Sequence, residues 1–408
     1  MPTEPRETRS TKHETRSTRL FRAAVIAWVL LLAVVCVRTV LKPLSGNIYP
    51  TYAWAGERFA AGEPVYNVYT PHVDNYRYSP VVAAGFVPFG MLPWGPGGAI
   101  FRLIGAALFL GGAVVWFRRS WPGAPLPAAL LALLPLAIGS INNGQANPHI
   151  VGLMLGAGAF GLGGRWAAAG ACIAAAALFK GYPIALGMLL VLAAPARFAA
   201  AVVGTIAAGL ALPYLLQSPE YVNGLYREWW MNMAGDDRTG FPLWAGYQDF
   251  HLLLRVVGWN MPREQYLLVE AGTGAACAAV LMWQRWAGVA KADVVANAVT
   301  LGLCWMTVFG PATESSTLIL LAPVLSRELL DRTGQPRWAR AAAVAGAGLF
   351  LAAIVVLTLP HAIHRPVIAT GIQPLASVLV AAAAVARVVR VRPAAAVIPA
   401  EPLVRLAA

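Results

Sequence analysis

Residues 20–41 read LFRAAVIAWVLLLAVVCVRTVL, and this run decides the class of fold. As a helix it covers roughly 33 Å, enough to cross the hydrocarbon core of a bilayer. The preceding residues 1–19, MPTEPRETRSTKHETRSTR, are polar, basic and rich in Thr and Ser, which predicts a disordered cytoplasmic tail. No small-residue cleavage site follows the run, so it reads as a retained anchor rather than a removed signal peptide. Arg38 and Lys42 at its outer end run against the usual charge bias, and the more basic tail outweighs them.

Outward from this anchor comes residues 44–80, LSGNIYPTYAWAGERFAAGEPVYNVYTPHVDNYRYSP. Tyr49, Tyr52, Trp54, Tyr66, Tyr69, Tyr76 and Tyr78 crowd here with Glu57, Glu63, Asp74, Arg58 and Arg77. Interfacial anchoring accounts for several of the aromatics. It does not account for three carboxylates and two arginines, which mark a place of binding or chemistry.

The composition agrees with a polytopic membrane protein. Of 408 residues, 58% are hydrophobic and 12% charged, with a mean hydropathy of +0.62. Soluble domains carry about twice that charged share. The net charge of +13 would suit nucleic acid, but most Arg and Lys lie in short gaps between apolar runs. That placement follows the positive-inside rule, so nucleic-acid binding is rejected. Cys36, Cys172, Cys277 and Cys304 all sit in apolar runs without CxxC spacing, which implies no disulfide framework. No zinc-spaced cluster and no GxxxxGK[ST] loop occurs, so no metal site, cofactor or nucleotide domain is implied; a divalent cation is left open.

Later apolar runs fall at about 98–117, 126–141, 148–163, 167–181, 183–195, 198–216, 266–284, 293–309, 316–330, 341–359 and 368–388. The run 79–93 is short and holds Pro80, Pro88 and Pro93. Kept outside as a re-entrant or interfacial piece, it puts Arg118, Arg119, Arg165, Arg197, Arg285, Lys291 and the Arg327–Arg340 cluster in the cytoplasm. The charge bias selects that arrangement. It predicts about twelve spans (range nine to thirteen) over residues 20–390, a tail over 391–408, and both termini cytoplasmic. INNGQANP (141–148), KGYP (180–183), a second large loop (217–265), GPATESS (310–316) and HAIHRP (361–366) then share the outer side with residues 44–80. They can converge on one outward-facing cavity, lined where Lys180, Gly181 and Pro183 break a helix.

The chain resembles glycosyltransferase family 87 from about Tyr49 to Pro323. The resemblance rests on AAGEPVY (60–66), RYSP (77–80), NNGQANP (142–148), ALFKGYP (177–183) and GYQDFHLLLR (246–255), in family-like order. It implies a GT-C-like helical bundle with a functional first extracytoplasmic loop. It also implies transfer of a sugar, such as mannose, from a polyprenyl-phosphate donor to a lipid or glycan acceptor. The family's acidic residue after the first span has no counterpart, since the matching stretch is Ser45-Gly46-Asn47-Ile48-Tyr49.

Such a transfer needs a base within reach of the acceptor hydroxyl and donors for the leaving phosphate. Asp74, three residues before Arg77, is the first candidate base; the alternative is an Asp–Arg pair that orders the loop. Glu57 and Glu314 are the other candidates. Arg77, Lys180 and Tyr78 are placed at the phosphate, with headgroup snorkelling as the alternative for Lys180. Asn47, Tyr49, Asn143, Gln145, Asn147, Gln248 and Asp249 are expected around the sugar or acceptor, with helix capping as the alternative for the 142–147 amides. The chain therefore reads as a glycosyltransferase of the cytoplasmic membrane. A non-catalytic carrier of lipid-linked or small polar substrates is the rival, disfavoured because no internal repeat is seen.

Overall fold

The computed structural model describes residues 6–391, except 46–47, 72, 236–239 and 311–312. All regular structure among the described residues is helical. Helix α1 (Arg6–Leu41) carries the anchor; α2 (Tyr49–Ala61), α3 (Pro80–Gly85) and α4 (Val87–Gly90) follow in the first polar segment and the proline-bearing run. Next come α5 (Trp94–Ser120), α6 (Leu126–Asn142), α7 (Asn147–Leu162), α8 (Trp166–Phe179), α9 (Ile184–Val191) and α10 (Ala196–Ala211). The second long loop holds α11 (Pro219–Gly235) and α12 (Phe250–Val256). The chain closes with α13 (Arg263–Trp286), α14 (Lys291–Val308), α15 (Ala322–Leu330), α16 (Arg337–Leu357), α17 (His361–Ile368) and α18 (Ile372–Val388).

Among the described residues, five stretches are long and apolar enough to cross a membrane: Ser17–Leu41, Trp94–Ser120, Ala196–Leu215, Arg263–Trp286 and Arg337–Leu357. A sixth arises if α17 and α18, bent by 43°, count as one. This differs from the expected twelve because the runs between 126 and 195 form helices of 17, 16, 14 and 8 residues. Those lengths cover only about 12–26 Å. Neither α3 nor α4, at six and four residues, can cross. Helix α1 also reaches upstream of its span into the tail expected to be disordered, since propagating an existing helix needs no new nucleus.

The core centres on α5 against α7. A Cβ on Gly112 would lie 2.4 Å from the Gly152 carbonyl oxygen, and one on Gly152 would lie 2.4 Å from that of Leu108. Only glycine lets the two backbones approach so closely. Trp28 Nε1 donates to the Leu130 carbonyl at 3.0 Å and ties α1 to α6. At the far end of the bundle, Arg387 of α18 pairs with Glu328 at 2.8 Å and Asp331 at 2.7 Å, locking the end of α15.

Arg102, 3% exposed within α5, then fixes where α6 stops. Its guanidinium donates to the carbonyls of Gly98, Ile141 and Asn142, each at 3.0 Å. Two of these are among the C-terminal carbonyls that a helix leaves unbonded. Gly144 turns the chain with φ 64°, a conformation that favours glycine, and α7 begins at Asn147. The 142–147 turn is thereby held in one place.

Candidate active site

Lys180 is where the polar segments meet. It ends α8 in an extended conformation (φ −141°, ψ 132°), and Pro183 starts α9 after the break. The side chain is half-buried. Its Nζ donates to Asn147 Oδ1 at 3.0 Å and Gln145 Oε1 at 3.3 Å, and lies 5.9 Å from the centre of the Tyr78 ring. Both oxygens are neutral. No carboxylate lies within ion-pair distance of Lys180 among the described residues. Burial lowers the ammonium, in the loop outside every candidate span, to about 8; the Glu314 carboxylate works the other way.

Asn147 is fully buried. Its amide nitrogen donates to the Ser316 carbonyl at 2.9 Å, and its oxygen also accepts from Tyr182 Oη at 3.4 Å. The first loop reaches this cluster through Tyr78, whose hydroxyl accepts from Tyr52 Oη at 2.9 Å. Tyr66 Oη donates to the Tyr78 carbonyl at 2.7 Å and Tyr76 Oη to that of Ser79 at 2.9 Å, which fixes RYSP. Burial pushes the Tyr78 hydroxyl up, and the carboxylates of Glu314 and Asp74 add to this. Glu314 is half-buried in a tight turn, its N–H donating to Thr317 Oγ1 at 3.2 Å.

Other expected residues sit differently. Asp74 is exposed; its carboxylate accepts from the Asn75 N–H at 2.8 Å, and its own N–H donates to Thr51 Oγ1 at 3.2 Å. No ion pair joins it to Arg77 among the described residues. The segment is not helical, so a three-residue spacing does not stack the two side chains. Arg77 is half-buried and close enough to act on Tyr78. Glu57 is exposed and accepts from Trp94 Nε1 at 2.8 Å. Glu63 pairs with Arg58 at 2.9 Å.

Tyr49 is fully buried among Phe86, Phe89 and Phe101, at 5.6–6.3 Å between ring centres. Asn143 contributes its carbonyl, which accepts from the Ile48 N–H at 2.9 Å and docks the first loop. Asn47 lies outside the described residues. Gln248 is buried beside the Glu314 turn, its N–H donating to the Thr313 carbonyl at 2.6 Å. Asp249 caps α12 by accepting from the Leu252 N–H at 3.1 Å. Burial raises its carboxyl to about 7, against that hydrogen bond.

Sequence reasoning gave no individual role to Arg102, Tyr52, Tyr182 or Ser316. Arg102 left a signal, as the lone cation inside an otherwise apolar run. A groove of about 520 Å³ lies elsewhere along α1, lined by Ala33, Val34, Val37, Arg38, Leu41 and Lys42. Among the described residues no group of three or more His, Cys, Asp or Glu is arranged to hold a metal.

The model of glycosyltransferase family 87 matches residues 76–311, more than half of the chain. The chain belongs to glycosyltransferase family 87. It is therefore a glycosyltransferase, and the carrier reading falls. The match takes in RYSP, NNGQANP, KGYP and GYQDFH; Asn47, Glu57, Asp74 and Glu314 lie outside it. Among solved structures, the glycosyltransferase is similar to one described as "Crystal Structure of ArnT from Cupriavidus metallidurans bound to Undecaprenyl phosphate". The two are 17% identical over 88% of this chain and 78% of that one, with a TM-score of 0.35, too low a likeness to bear on the site. No curated protein matches the chain.

Proposed function

We propose that this glycosyltransferase takes a hexose, such as mannose, from a polyprenyl-phosphate donor and attaches it to a lipid or glycan acceptor. The reaction would run at the outer face of the cytoplasmic membrane. One observation carries the reading. Lys180 is held in a helix break by two neutral amide oxygens, so its positive charge is positioned without being cancelled. A cation kept in such a place is costly unless an anion uses it.

In this reaction the bond from sugar C1 to the phosphate oxygen breaks, and the phosphate keeps the electron pair. A new bond forms from C1 to the acceptor oxygen, whose proton passes to a carboxylate. Lys180, with Arg77 and Tyr78, holds the departing phosphate. Glu314 leads as the base because its charge acts on both Lys180 and Tyr78. Asp74 stands second, exposed and engaged with Asn75. Glu57 stands third, turned to Trp94. Gln145, Asn143 and Gln248 border the cluster and suit sugar hydroxyls.

Residues 44–80 and 217–265 lie outside the cell in this reading, residues 1–19 and 391–408 inside. A span count near twelve requires the shorter helices to cross in part. Purified protein in nanodiscs, given radiolabelled polyprenyl-phosphate mannose and membrane lipid extract, should transfer label, and Lys180→Met should lose that transfer at equal yield. Folded protein that neither binds nor cleaves any polyprenyl-phosphate hexose would overturn the proposal.

A further inference from the structure

We infer that Asn147 is a positioning residue that aims Lys180 at the donor phosphate and ties that aim to the Glu314-bearing turn. The inference rests on the phosphate role proposed for Lys180. An ammonium has three donors and no acceptor. Asn147 and Gln145 take two of them, leaving one direction for a ligand among the described residues. The shorter of the two bonds is to Asn147, at 3.0 Å.

The orientation of the Asn147 amide is fixed by its surroundings. The Ser316 carbonyl can only accept and the Lys180 ammonium can only donate, so the nitrogen must face Ser316 and the oxygen Lys180. The oxygen is shared with Tyr182 Oη, which closes the brace on both sides of Gly181. Asn147, at the start of α7, thus joins the α8–α9 break to the 313–317 turn, 169 residues away in sequence. Such a bond lets the cation and the Glu314 carboxylate keep one separation.

The chemistry also explains an amide in place of a carboxylate. A carboxylate at position 147 would cancel the charge of Lys180 and set two acceptors face to face at Ser316. Neutral Asn147 holds the ammonium and leaves its charge to the phosphate. The titratable groups around Lys180 are Tyr182 on its own loop, Tyr78 with Asp74 and Arg77 in the first loop, and Glu314. Of these only Tyr182 bonds to position 147, and burial pushes its hydroxyl further up, so it stays neutral across the pH range of the test.

The test measures binding of undecaprenyl phosphate to the full chain in nanodiscs, by tryptophan fluorescence, across pH. Asn147→Ala should weaken binding by about tenfold or more, the usual effect of losing a hydrogen bond to a charged group. In a Lys180→Met background, Asn147→Ala should add nothing, because its effect passes through the ammonium. The isosteric Asn147→Asp should weaken binding at pH 7 and move the alkaline midpoint above about 8, the direction an added negative charge drives a lysine. It carries the test alone if Asn147→Ala fails to fold. Additive losses in the double variant, or an unmoved midpoint in Asn147→Asp, would overturn the inference. Wild-type affinity in Lys180→Met would instead strike the phosphate role itself.

Discussion

Donor affinity should fall as pH rises through about 8, and Lys180→Arg should abolish that fall. Burial lowers the Lys180 ammonium from its ordinary 10.5 to about 8. Below pH 8 the site holds a cation; at pH 9 roughly nine-tenths of it is neutral, and each further unit costs about tenfold in charged protein. An arginine stays charged throughout this window, so its variant binds less well but without the alkaline limb. Stability must move the opposite way. Between about pH 8 and 10.5 the unfolded chain binds the proton that the folded chain has lost, so this group makes the fold more stable as pH rises. KM for a polyprenyl-phosphate sugar, measured from about pH 6.5 to 9.5 beside melting temperature, separates the two effects. A limb that persists in Lys180→Arg, or one that tracks a falling melting temperature, would refute the assignment.

Further outcomes follow from the same geometry. Glu314→Gln should cut turnover by about a hundred- to ten-thousand-fold with donor affinity nearly kept, the range of a general base, while Asp74→Asn should cut it far less; full activity in Glu314→Gln removes it from the base role. Arg102→Met leaves the Ile141 and Asn142 carbonyls without their buried donor and should cost about 1–3 kcal/mol, read as a lower melting temperature in detergent. Arg387→Met removes the nearest cation from Glu328 and Asp331, which keep Gln335, Thr333 and Arg327, and should cost about 1.5–3 kcal/mol by the same measure, with donor affinity unchanged.

The helical membrane class was legible because hydropathy runs are long and charges are confined to the gaps between them. So was the meeting of NNGQANP, KGYP and the first loop, since polar residues in an apolar chain collect where the backbone breaks. Span number was not, because an apolar run such as 183–195 says nothing about a helix stopping after 8 residues. Asp74 and Arg77 looked like a pair on spacing alone, and spacing predicts contact only where the backbone is helical. The capping role of Asp249 went unread, although an acid before an apolar run is how a helix is often capped. The role of Arg102 stayed hidden because two of its partners are main-chain carbonyls some forty residues away, which no side-chain motif records.

The most direct measurement is a structure of the protein with undecaprenyl phosphate bound in nanodiscs. The phosphate should lie within about 3 Å of Lys180 Nζ, a hydrogen-bonding distance, with Asn147 still bonded to Ser316. Phosphate seated instead beside Arg38 and Lys42 in the groove along α1, with Lys180 untouched, would contradict it.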